Sequence, residues 1–310
     1  MKKLLLASTT ALVASAGIAA ADVNVTGDGR MGVVFNDALQ DKVRLDSRAR
    51  VRFNLSGETD TGLAFGGWFR AQTAGDAASG NMGQGAGNLF ISGDFGRLSF
   101  GDVMGAAQGA VGDLHQTSLT GLGFLNENIF FQRDFNGGLF NSGGTNALYT
   151  YSIDGFTVHA SLGQTNVRDG NNDRIEMGSI GARYEFDGYA IGAGYELTNI
   201  DGDNFGHLAI GGEANIDMFS VRATIGRLMQ DARGTFTSDH QVGISGSFNV
   251  DPDISVSAFV RRDFAADVHI GAGASYDLGG GASLVGGMRY TDFDAGGAQT
   301  LADFGVSFSF

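Results

Sequence analysis

The sequence predicts an all-β fold: a transmembrane antiparallel β-barrel of about 16 strands. Three observations carry this expectation. The chain opens with an export signal, its hydropathy alternates with a period of two almost throughout, and its connections alternate between short and long.

The export signal occupies residues 1–21. Lys2 and Lys3 supply the positive start, Leu4 to Ile18 the apolar stretch, and Ala19-Ala20-Ala21 the small-residue cleavage site. The apolar stretch is too short, and too rich in Ala, Ser and Thr, for a membrane anchor. The mature chain is therefore expected to begin at Asp22, with 22–310 as one barrel domain. No later run of 18 apolar residues exists, so no membrane-spanning helix is expected. The chain has no Cys, which excludes a disulfide framework in an exported protein. A net charge of −14 argues against nucleic acid as a partner. A mean hydropathy of −0.01 suits a soluble protein, or a barrel that is apolar outside and polar inside.

The alternation decides between them. Val23, Val25, Met31, Val33 and Phe35 share one face of the first segment, and Asn24, Thr26, Asp28, Arg30 and Asn36 share the other. In the second, Leu45, Ala49, Val51, Phe53 and Leu55 oppose Asp46, Arg48, Arg50, Arg52 and Asn54. The pattern places strands near 23–36, 45–57, 62–73, 86–95, 96–102, 146–153, 156–166, 175–187, 188–200, 205–217, 219–230, 238–250, 253–263, 267–278, 281–292 and 300–310. That number is even, as single-chain bacterial barrels require.

Short turns such as Asp154-Gly155, Asp187-Gly188 and Gly279-Gly280-Gly281 tolerate positive φ and suit tight hairpins. Longer polar links such as 164–174, 199–204 and 230–239 fall between them. Short turns on one rim and long loops on the other fit a membrane barrel.

The outward face follows from cost. An Arg facing lipid at the midplane costs roughly 2–4 kcal/mol. A one-residue slip of the second strand would expose Arg48, Arg50 and Arg52 together, at about 6–12 kcal/mol. The apolar phase therefore faces out and the charged phase lines a lumen. Arg227 and Arg262 break phase, but near strand ends where the cost falls. Phe186, Tyr189, Phe219, Phe248, Tyr276 and Phe308 fall on the outward phase near the short-turn rim, as an interfacial aromatic girdle would.

Several segments resemble the general-diffusion porins of alphaproteobacteria. They are GDGRMGVVFN at 27–36, SRARVRFNLSGETDTGLAFGGWFRA at 47–71, LFISGDFGRLSFGD at 89–102, LYTYS at 148–152, GAGASYDLGGGASLVGG at 271–287 and DFGVSFSF at 303–310. The resemblance implies a trimer of 16-stranded barrels in the outer membrane of a Gram-negative bacterium, in contact with lipid and lipopolysaccharide. It implies a long third loop folded into the lumen, and an eyelet with a basic wall facing acids on that loop. The basic wall would fall on Arg30, Arg48, Arg50, Arg52 and Arg70. Trp68 takes an inner-phase position that is usually small in this family. The terminal Phe310 resembles the signal read by the barrel-assembly machinery.

The segment 102–146 has no sustained alternation, and stretches this long are uncommon unless functional. Its many apolar residues, Leu114, Leu119, Leu122 and Phe124 among them, must be buried somewhere. Folding into the barrel achieves this and narrows the passage; a cap or a subunit contact is the alternative. Asp113, Glu127 and Asp134 are its acids, with Arg133 among them, and the resemblance implies that some face the arginines.

Other motifs carry less. Gly27 to Gly32 matches GxGxxG, but strand alternation continues where a dinucleotide site needs a helix. Asp169, Asn171 and Asp173, and Asn199, Asp201 and Asp203, offer oxygen ligands for Ca²⁺. They lack the Gly and distal Glu of an EF-hand loop, so solvated acidic loops are the first reading, and no cofactor is required. The five His residues show no metal-ligand spacing and no nucleophile motif accompanies them, so no enzyme is expected. Three functions are in competition: a channel for passive diffusion of ions and small hydrophilic solutes, a sugar- or anion-selective channel, and a barrel hydrolase or adhesin. Trp68 and Phe259 are the inner-phase aromatics that hint at sugars.

Overall fold

The computed structural model describes residues 22–73, 87–127, 146–166, 174–200, 202–231 and 236–310. The strands are β1 (Asp22–Asn36), β2 (Val43–Glu58), β3 (Ala64–Thr73), β4 (Gly87–Gly93), β5 (Gly96–Gly101), β6 (Asn146–Ile153), β7 (Phe156–Asn166) and β8 (Arg174–Phe186). They continue as β9 (Tyr189–Ile200), β10 (Asp203–Ile216), β11 (Phe219–Asp231), β12 (His240–Asn249), β13 (Ile254–Arg262), β14 (Val268–Gly279), β15 (Ala282–Asp292) and β16 (Ala298–Ser309). Each pairs antiparallel with its sequence neighbours, and β1 pairs with β16 to close the barrel. Closure leaves no sheet edge, so every strand's backbone groups find partners without water.

The seam is continuous to the C-terminus. Gly32 sits opposite Gly305, Gly29 opposite Phe308, and the Phe310 N–H donates to the Gly27 carbonyl at 2.9 Å. Asp154, Gly155, Asp187 and Gly188 all take positive φ, the geometry that lets a two-residue turn follow the twist of its strands.

The outward phase is apolar as expected. Leu45, Leu162, Ile180, Phe304 and Phe310 are exposed on it. Near the short-turn rim, Phe186 stacks on Tyr189 with centroids 5.7 Å apart, and Phe219 on Phe248 at 4.5 Å. Both pairs are directly opposed across hairpins, so the girdle is built from cross-strand pairs. Arg227 and Arg262 lie at the long-loop rim, tied to Asp239 and Ser238.

Two local features stand out. The register shifts at Gly206/His207, where Met229 is the extra residue of a bulge in β11; the alternation along β11 itself is unbroken, with Leu228 inward and Met229 outward. The segment after β5 is not wholly irregular: it carries α1 (Ala106–Val111) and a short 3₁₀ turn at Gly121–Gly123. Small residues and one turn and a half of length give α1 no readable periodicity.

Candidate pore-lining site

The inner face has two walls of different character. The first is built by β1, β2 and β3. Alternation puts Arg30, Arg48, Arg50, Arg52 and Arg70 on this face, and the register brings them together: Arg30 lies opposite Arg48, and Arg52 opposite Arg70. Like charges directly opposed repel. Two carboxylates on the same strands relieve the repulsion. Arg30 Nε donates to Asp46 at 2.7 Å, and Arg48 Nη2 to Asp28 at 3.0 Å. Arg50 Nε donates to the neutral Gln72 amide oxygen at 2.8 Å, and Arg52 lies 4.1 Å from the centroid of the Trp68 ring. Arg50 and Arg52 have no carboxylate within ion-pair distance among the described residues. All five predicted basic residues are thus assembled on one patch.

The second wall holds the third loop. Past Asp102 the chain runs along the inner face of β7 to β16. α1 seats its small residues on inner-phase glycines: a Cβ on Gly181, Gly192, Gly194 or Gly211 would meet Ala106, Ala110, Ala107 or Val111. Further on, Leu114 lies over Gly243, Thr117 over Gly273 and Gly287, and Leu119 over Gly305 and Gly32. Ala106, Ala107, Ala110, Leu114 and Leu122 are fully or almost fully buried by this contact, which answers where the loop's apolar groups go. The inner-phase glycines form a track that any side chain would block.

Polar anchors fix the loop along the track. The Ala106 N–H donates to Ser161 Oγ at 2.9 Å. His115 sits between two hydroxyls, Ser245 Oγ at 2.8 Å from Nδ1 and Ser220 Oγ at 3.0 Å from Nε2. Burial, with Arg222 nearby, lowers the His115 pKa below its ordinary value, so the ring is neutral at pH 7. The Asp303 carboxylate accepts three hydrogen bonds, from Leu119 N (3.0 Å), Thr120 N (2.7 Å) and Thr120 Oγ1 (2.6 Å). Arg289 donates to the Leu122 carbonyl, and Arg261 to those of Leu125 and Glu127.

Asp113 lies on this second wall. Its carboxylate accepts from Gln108 Nε2 at 2.9 Å, and its carbonyl from Arg222 at 3.3 Å. Together with Arg183, Glu213 and Arg222 it lines a cavity of about 180 Å³. Glu213 bridges the two arginines, at 3.1 Å from Arg183 and 3.2 Å from Arg222. Asp134 and Arg133 lie outside the described residues, as do Asp169, Asn171, Asp173 and Asp201. Asp203 begins β10, and the Asn199 side-chain oxygen accepts from Gly202 N at 3.2 Å within the turn. Among the described residues no cluster of three metal-ligating side chains occurs.

Sequence reasoning missed several participants. The loop-side arginines Arg183, Arg222, Arg261 and Arg289 were visible as inner-phase charges, and so were the inner-phase glycines. Phe90 and Phe205 are also inner-phase aromatics, so Trp68 and Phe259 are not alone. Phe90 was hidden because β4 has only seven residues and Phe90 sits in the middle of its apolar run Leu89-Phe90-Ile91.

A closed sheet, apolar outside, with arginines on one inner wall and a loop seated on the other, defines a membrane-spanning β-barrel channel. The Gram-negative porin family matches residues 8–296 of the chain. A porin from Rhodobacter capsulatus is 32% identical over 313 residues, covering 93% of this chain and 100% of that one. A porin from Fuscovulum blasticum is 28% identical over 310 residues, with the same coverage. A porin structure refined at 1.8 Å resolution is 29% identical, with a TM-score of 0.71 over 93% of this chain and all of that one. The chain belongs to the Gram-negative porin family, and it is a channel protein of the outer membrane.

Proposed function

We propose that the channel conducts ions and small hydrophilic solutes passively, and that Arg30, Arg48, Arg50, Arg52 and Arg70 form its selectivity wall. The observation that carries this reading is the pairing pattern on β1 to β3. Asp28 and Asp46 neutralise two arginines, while Arg50 and Arg52 have no acid of their own among the described residues. Fixed charge lining a narrow passage attracts counter-ions and hinders co-ions. The local field favours anions even though the whole chain is acidic.

The third loop narrows the passage by lying along the second wall, with Asp113 and Glu127 as its described acids. Passive conduction needs no cofactor and no catalysis. The rings of His115, His159 and His269 contact hydroxyls, and their settings support this non-enzymatic reading; His159 Nδ1 lies 3.1 Å from Thr150 Oγ1. His115 spends both ring nitrogens on serine hydroxyls, so no acid orients it as a base. His269 does lie between Thr291 and Asp263, but all three are buried, leaving no route for a substrate. A signal peptide at 1–21, assembly into a homotrimer among lipid and lipopolysaccharide, and recognition of the C-terminal strand by the barrel-assembly machinery complete the reading. Its test is the reversal potential of the purified protein in a planar bilayer under a KCl gradient. An anion-selective potential is expected; a cation-selective one would remove the wall from this role.

A further inference from the structure

The arginine wall carries something a plain ion filter does not need. Two aromatic rings on the same inner face each hold a guanidinium. Arg52 lies 4.1 Å and Arg70 6.0 Å from the Trp68 ring centroid. Arg97, on β5, lies 3.5 Å from the centroid of Phe90. Trp68 is directly opposite Asn88, so Phe90, two residues on, is its diagonal neighbour on the inner face.

Arg52 and Arg97 have no acid among the described residues; Arg97 Nε donates only to Ser99 Oγ, at 3.3 Å. A guanidinium stacked on a ring gives that ring its flat face. Its in-plane N–H donors stay available, in the fork geometry that matches a carboxylate.

We propose that Trp68, Phe90, Arg52 and Arg97 form a site for planar aromatic carboxylates on the channel wall. The carboxylate takes the in-plane N–H pair of Arg52 or Arg97. The solute's ring is conjugated with its carboxylate and so lies in nearly the same plane, about 7 Å beyond the guanidinium carbon. That span matches the roughly 7–8 Å diagonal spacing of Trp68 and Phe90, so a carboxylate held by the guanidinium on one ring lays its own ring against the other, and the stack needs both aromatics. A saturated ring of the same charge and carbon count makes the ion pair and cannot extend the stack. The site therefore sorts anions by flatness as well as by charge. This inference rests on the wall lining an open channel.

The test records the purified full-length channel in a planar bilayer in KCl, with benzoate or cyclohexanecarboxylate added to one side. Benzoate is expected to reduce the current saturably, at concentrations roughly tenfold below those needed for cyclohexanecarboxylate. In Trp68→Leu the two acids should converge. In Trp68→Phe, which keeps a ring, part of the difference should return. Each variant's own current in KCl is the reference for its block. Equal block by both acids in the parent would overturn the proposal, as would a full tenfold preference in Trp68→Leu. If Trp68→Leu fails to assemble, Phe90→Leu is read in its place, and an undiminished preference there also overturns it. Absence of any KCl current from the parent would instead refute the channel reading beneath the proposal.

Discussion

Replacing Arg50 and Arg52 together by Gln removes two positive charges that have no carboxylate partner among the described residues. Their effect on passing ions can be worked from Coulomb's law. A unit charge about 7 Å from an ion interacts with about 0.6 kcal/mol in water. Screening over a Debye length of roughly 8 Å reduces this to about 0.25–0.3 kcal/mol. An anion gains that amount and a cation loses it, so each arginine separates the two by about 0.5–0.6 kcal/mol. Two arginines give about 1.1 kcal/mol, a change of roughly sevenfold in the cation-to-anion permeability ratio. At 1 M salt the Debye length is about 3 Å, and the same estimate falls below twofold. The assay is the reversal potential under matched KCl gradients at low and high mean salt, with folding checked by resistance to unfolding in detergent. Identical potentials for parent and variant at low salt would refute the reasoning, and so would a shift that does not shrink with salt. Removing Arg30 and Asp46 together, a cation and an anion 2.7 Å apart, should move the potential far less.

Other substitutions test the loop, the seam and the long-loop rim. Asp303→Ala removes the acceptor of three hydrogen bonds to Leu119 and Thr120, so the loop should loosen, and single-channel recordings should show larger or noisier openings. Gly192→Val places a side chain against the Ala110 carbonyl of α1; a crowded substitution of this kind costs about 1–3 kcal/mol, read as a lower unfolding midpoint, or displaces the loop and changes conductance. Phe310→Ser removes the outward ring that covers Gly27 at the closing seam, and outer-membrane yield of folded barrel should fall. Asp263, in the loop after β13, is pushed up by burial, but the hydrogen bond from His269 and nearby positive charge outweigh this and hold its pKa below the usual carboxylate value. A depressed folded pKa contributes stability above the unfolded value near 4 that is lost as pH falls through the folded value. Thermal unfolding of the parent should therefore weaken below about pH 4, and Asp263→Asn should weaken less over the same range.

The barrel was legible because its determinants are local. A period of two needs only neighbouring residues, and the Arg48, Arg50 and Arg52 stripe fixes the phase of the second strand by a cost no alternative register can meet. The basic wall followed from phase alone. Its charge balance did not: Asp46 and Asp28 were visible on the polar face, but pairing them with Arg30 and Arg48 requires the β1–β2 register. The loop's path was least legible. Its anchors, Asp303, Arg261 and Arg289, lie more than a hundred residues away in sequence. The readable trace of that path was negative, a set of inner-phase positions from Gly181 to Gly305 that carry no side chain. Phe90 escaped for a different reason: in a seven-residue strand the run Leu89-Phe90-Ile91 is apolar on both faces, and only Asn88 and Ser92 mark the inner phase.

Single-channel recording of the purified protein in a planar bilayer is the decisive measurement. Stepwise, passive current through an open pore is expected, with a low-salt reversal potential on the anion side that moves toward cations when Arg50 and Arg52 become Gln. A folded barrel that inserts and carries no current, over repeated preparations, would contradict this expectation.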